Sequence, residues 1–70
     1  MNEYEEKIKE LDTVIARLES GDISLQEAMD LYRRGNELTV ACTELLQQFR
    51  TEAQRVMEET EQFIQEASRQ

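Results

Sequence analysis

Chemistry in this chain would have to come from very few side chains. There is one cysteine, Cys42, and no histidine to activate it as a nucleophile or to complete a zinc ligand set. Cys42 falls on an apolar helical seam, so it reads as a packed thiol. Glu58, Glu59 and Glu61 carry oxygens that suit magnesium or calcium, but they sit in a continuous helical pattern with no turn loop to wrap an ion. A solvated helix face accounts for them better. Arg33 and Arg34 could meet a phosphate or an acidic partner, yet Asp30 stands three and four residues upstream, where it can neutralise either. Tyr32 and Phe49 could stack on bases, but both lie on the apolar seam and no row of cations accompanies them. No catalytic residue, metal site or cofactor is expected.

The totals point the same way. Sixteen acidic and eight basic side chains give a net charge of -8, and no segment gathers the cations that displace counterions from a phosphate backbone, so direct nucleic-acid binding is not expected. Seventy residues make a single domain, residues 1–70, and a chain of this size buries only about 60% of the surface its unfolded form exposes. One cysteine excludes an internal disulfide, which leaves oligomerisation as the remedy for a thin core. The opening stretch MNEYEEKIKE lacks the basic start and apolar run of a signal peptide, and no segment approaches the ~18 apolar residues of a membrane span. A cytoplasmic location with a reduced thiol is expected.

The elements that position these residues are helical. Tyr4, Ile8, Leu11, Ile15 and Leu18 recur at steps of four and three, one stripe of a helix over about residues 2–19. Gly21 then supplies a residue that tolerates positive φ, the usual way for a helix to end. After a loop at 20–24, Ser24 and Glu27 form the S-x-x-E pattern of a reciprocal capping box. A second helix spans about residues 25–67, with four-three spacing through Ala28, Tyr32, Gly35, Thr39, Cys42, Leu46, Phe49, Ala53, Val56, Thr60, Phe63 and Ala67. Leu31, Leu38 and Leu45 lie beside that seam and widen the apolar arc to roughly 140° at 3.6 residues per turn.

The short loop makes the two helices an antiparallel hairpin. Counting outward from the turn sets Leu11 against Gly35, where the missing side chain gives Leu11 a recess, and sets Tyr4 near Ala41 and Cys42. The first helix is then exhausted while the second runs on for some 25 residues, about 38 Å. The fold class is therefore all-α: an antiparallel helical hairpin with a long second helix, coiled-coil-like, assembling into a helical bundle. Leu11, Gly21, Ser24, Glu27, Tyr32 and Gly35 carry the hairpin, and Leu38, Leu45, Leu46, Phe49, Val56 and Phe63 are the expected partner-binding residues. A homo-oligomer is expected from the same deficit of cover. Taken by themselves, the residues fit a self-associating helical adaptor as well as an accessory subunit of an enzyme.

The stretch LESGDISLQEAMDLYRRGNEL, Leu18 to Leu38, resembles the loop motif of the exodeoxyribonuclease VII small-subunit family: L-E-x-G-x-L/I, then L-x-E-A/S, then an aromatic residue, two polar residues and glycine. Tyr4-Glu5-Glu6 is similar to that family's aromatic-acidic opening, and the likeness covers roughly residues 4–48. Ser24 stands where many members carry proline, and either residue suits a helix start. The segment EAQRV lies four residues later than its counterpart in the family. The resemblance implies a noncatalytic subunit that binds a large subunit, itself the part that degrades single-stranded DNA into oligonucleotides.

Overall fold

Helix α1, Glu3–Ser20, starts where Asn2 caps it: the Asn2 side chain accepts a hydrogen bond from the Glu5 backbone N–H at 2.8 Å. Glu3, Glu5 and Glu6 in the first turn favour the positive end of the helix dipole. The helix stops at Gly21, whose backbone is left-handed (φ 70°, ψ −4°) and whose N–H returns to the Leu18 carbonyl at 3.4 Å. Helix α2, Leu25–Ser68, begins at Ser24, whose hydroxyl accepts from the Glu27 N–H at 3.1 Å. These two elements come from a computed structural model, which describes residues 2–69; Met1 and Gln70, the ends of the expected 1–70 domain, lie outside the described residues.

The capping box is half formed. Instead of turning back to Ser24, the Glu27 carboxylate accepts from Arg17 Nε at 3.0 Å and Nη2 at 3.4 Å, across the hairpin. A two-pronged guanidinium ten residues upstream offers more than one backbone N–H would.

The helices pack antiparallel into a rod of 69 × 16 × 16 Å, whose long dimension is α2 itself: 44 residues at about 1.5 Å each. Its core is small. Val14, Leu38 and Cys42 are the buried hydrophobic residues among those described, and Leu38 is the most enclosed at 1% exposure. Leu11, Leu18, Ala28, Leu31, Gly35, Ala41 and Leu45 are half-buried around them.

The expected seam is therefore displaced by one column on α2. Leu31, Leu38 and Leu45 face α1, together with Ala28, Gly35 and Cys42, whereas Tyr32 is 68% exposed and Thr39 and Leu46 are also exposed. Leucines bury more apolar area than threonine and need no partner for a hydroxyl, so the neighbouring column takes the contact. Tyr32 is thus not part of the hairpin core. On α1 the same rotation buries Val14 and leaves Ile15 43% exposed.

Leu11 does meet Gly35, but it shares the position with Val14. A Cβ added at Gly35 would lie 3.6 Å from Val14 Cγ1 and 3.9 Å from Leu11 Cδ1. Both are ordinary van der Waals separations, so the expected recess is not required there and alanine fits.

Candidate partner-docking face

α1 begins at Glu3 while α2 still has more than twenty residues to run beyond the stretch that α1 covers. The boundary is a shallow groove lined by Asn2, Glu3, Tyr4, Leu45, Leu46 and Phe49. From this groove the apolar stripe runs on along α2: Phe49 in its wall and Phe63 further along are each 71% exposed, and Val56, Met57 and Ile64 are also exposed. Phe49, Val56 and Phe63 recur every seven residues, with Ala53, Thr60 and Ala67 alongside them and Met57 and Ile64 widening the stripe. Thr60 does not interrupt it, because its hydroxyl donates to the Val56 carbonyl at 3.0 Å and is already satisfied. Val56, Met57, Thr60 and Ile64 line a second, open groove.

Of the residues expected to face a partner, Leu45 is half-buried at the boundary and Leu46, Phe49, Val56 and Phe63 are exposed. Leu38 is corrected: it packs under α1 and has no surface to offer. It shares a seven-residue column with Leu45, but only Leu45 reaches the end of α1. Met57 had no place in the expected set because it lies off the four-three seam; its position four residues after Ala53 is the signal that adds it.

Charge is arranged differently on the two stretches. Among the described residues both interhelix ion pairs lie on the hairpin: Arg17 with Glu27, and Arg34 with Glu10 in a fork of 2.6 Å and 2.9 Å. The hydrogen bonds from Arg34 hold the Glu10 carboxyl below its ordinary range, and those from Glu10 and Glu37 raise the Arg34 guanidinium further. Arg34 is thus not neutralised by Asp30, which pairs with Arg33 at 3.3 Å. On the uncovered stretch Arg55 bridges Glu52 and Glu59 along one helix and ties α2 to nothing else.

Cys42 is a buried free thiol, and among the described residues no three metal-ligating side chains, Glu58, Glu59 and Glu61 included, are grouped to hold an ion. Among the described residues no helix is long and apolar enough to cross a membrane. What the arrangement offers is uncovered apolar area, each Å² of which is worth about 25 cal/mol when buried.

Known proteins similar to this chain share one family name. The model of the family "Exonuclease VII small subunit" matches residues 4–55. The exodeoxyribonuclease 7 small subunit of Thermotoga maritima is 42% identical over 66 residues, covering 94% of this chain and 88% of that protein. Its counterpart in Thermotoga neapolitana is 42% identical over 59 residues, 84% of this chain and 80% of that one. The Listeria welshimeri protein of the same name is 38% identical over 61 residues, 87% and 81% of the two chains. No solved structure matches the chain.

Proposed function

The chain belongs to the exonuclease VII small-subunit family, and from that premise we propose that it is the noncatalytic subunit of exodeoxyribonuclease VII, docking through α2 on the large subunit that degrades single-stranded DNA to oligonucleotides. The observation that carries this reading is the apolar stripe of α2, which is covered by α1 as far as Leu45 and bare from Phe49 onward. Leu45, Leu46, Phe49, Val56 and Phe63 are the docking residues, and Met57 and Ile64 join them. A single helix exposing this many large apolar side chains seeks a partner, most simply another helix laid along it.

The subunit works without touching DNA. Its charge of -8 repels a phosphate backbone, so its contribution to the nuclease is to hold or shape the large subunit. Copies also associate with one another through the side of the hairpin where Ile15, Met29 and Tyr32 are exposed and, among the described residues, no interhelix ion pair intervenes. The assembly operates in the cytoplasm, where Cys42 stays reduced.

Co-expression with the large subunit tests this. Burying one phenylalanine contributes about 1.5–3 kcal/mol, so Phe49→Asp should lower affinity by ten- to hundredfold or more while leaving the free chain helical. Undiminished co-purification of Phe49→Asp would overturn the docking assignment.

A further inference from the structure

One column of α2 changes character where α1 ends. Positions 31, 38 and 45 are leucine and face α1; positions 52, 59 and 66, the next three steps of the same seven-residue ladder, are all glutamate. Helix geometry makes these glutamates the border of the bare stripe. Glu52 lies three residues after Phe49 and four before Val56, Glu59 stands in the same relation to Val56 and Phe63, and Glu66 follows Phe63 by three. All three are exposed. Arg55 pairs with Glu52 and Glu59 from the outer side, and Glu66 makes no ion pair among the described residues, so the border keeps a net negative charge. The other edge of the stripe is mixed: Arg50, then Met57 and Ile64.

These two edges discriminate between occupants. If a second copy laid its own α2 antiparallel along the stripe, like edges would meet and glutamate would face glutamate. If it lay parallel, each glutamate would face the position five residues further along the partner: Glu52 would oppose Met57, and Glu59 would oppose Ile64. Neither arrangement gives a carboxylate a cation, and the first sets like charges together at a desolvated edge. The same row would burden any helix that covered this stretch as α1 covers Leu31, Leu38 and Leu45.

We propose that the occupant of the bare stripe is a helix of the large subunit whose apolar seam is bordered by lysine or arginine on the side facing Glu52, Glu59 and Glu66, and that this glutamate row sets the partner's rotation on α2 and excludes a second copy. The inference rests on the docking reading above and adds to it the chemistry of the surface that docks. The apolar residues supply affinity, and the glutamates supply choice of partner and rate of encounter.

The test uses the full chain, purified large subunit and three variants checked for helicity by circular dichroism. Glu52→Gln/Glu59→Gln/Glu66→Gln removes the charge and keeps the shape; Glu52→Lys/Glu59→Lys/Glu66→Lys reverses it; Phe49→Asp/Phe63→Asp breaks the stripe. Dissociation constants are measured from about 0.05 to 0.5 M salt, a range over which exposed charge is progressively screened. The glutamine variant should bind about tenfold more weakly at low salt, with the difference closing at high salt, and the lysine variant more weakly still. The free glutamine variant should also self-associate more strongly than the parent in light scattering. Wild-type affinity and salt dependence in the glutamine variant, with binding lost in the Phe49→Asp/Phe63→Asp variant, would overturn this inference and leave the docking reading standing. Undiminished binding in the Phe49→Asp/Phe63→Asp variant as well would overturn both.

Discussion

The two halves of α2 are one continuous helix with one apolar stripe, yet they stand in different physical situations. Residues 25–45 lie against α1, bury Leu38 and Cys42, and are tied across the hairpin by Arg17–Glu27 and Arg34–Glu10. Residues 46–68 carry equally large side chains with nothing over them, and their ion pairs stay within one helix. The difference is a division of labour. Stability resides in the first half, and the second half presents apolar surface that α1 does not cover.

Substitutions in the two halves should therefore separate two readouts. Leu38→Ala should cost about 2–5 kcal/mol in urea unfolding of the free chain, because Leu38 is the most enclosed side chain of the hairpin. Val56→Ala should leave that unfolding within about 0.5 kcal/mol of the parent and weaken only binding to the large subunit. Equal effects of the two on the free chain would erase the distinction between the halves.

The glycines sharpen the same comparison inside the covered half. Gly21 has a positive φ that an L side chain adopts at a cost of about 1–2 kcal/mol, so Gly21→Ala should lower the melting temperature of the free chain although open space surrounds the site. Gly35→Ala should act oppositely and raise stability by up to about 1 kcal/mol, since the added Cβ meets Val14 and Leu11 at ordinary distance and improves helix propensity. A destabilised Gly35→Ala would mean that the helices approach more closely than described.

The smallest effect concerns pH. Glu10 has a folded-state pKa below its ordinary 4.5, so its pairing with Arg34 adds stability above that pH and loses it as pH falls through the lowered value. Glu10→Gln should flatten the acid side of the stability curve below about pH 4.5 and change little at neutral pH. Val56→Ala should leave that profile unmoved.

Much of the hairpin can be read from residue types. Gly21 and the Ser24 cap mark the turn, and counting outward from it brings Leu11 to Gly35. The column that forms the seam is less legible. Tyr32, Thr39 and Leu46 keep perfect four-three spacing along α2, and Leu31, Leu38 and Leu45 lie one residue away. Which column turns inward depends on what α1 presents, and α1 buries Val14 beside Gly35 while Ile15 stays 43% exposed. The cross-hairpin ion pairs were hidden for the same reason: Arg34 has Asp30 four residues away in sequence, while Glu10 comes within reach only in the folded register. The bare stretch of α2 follows from unequal helix lengths, which the turn position and periodicity reveal. The acidic border at Glu52, Glu59 and Glu66 emerges only when the leucine column that faces α1 is identified and followed outward.

Amide hydrogen exchange of the full chain, alone and with saturating large subunit, tests the central claim most directly. Residues 25–45 should be protected in the free chain and change little, while residues 46–68 should exchange quickly alone and slow markedly on binding. Unchanged exchange across residues 46–68 in a complex that has demonstrably formed would contradict the account.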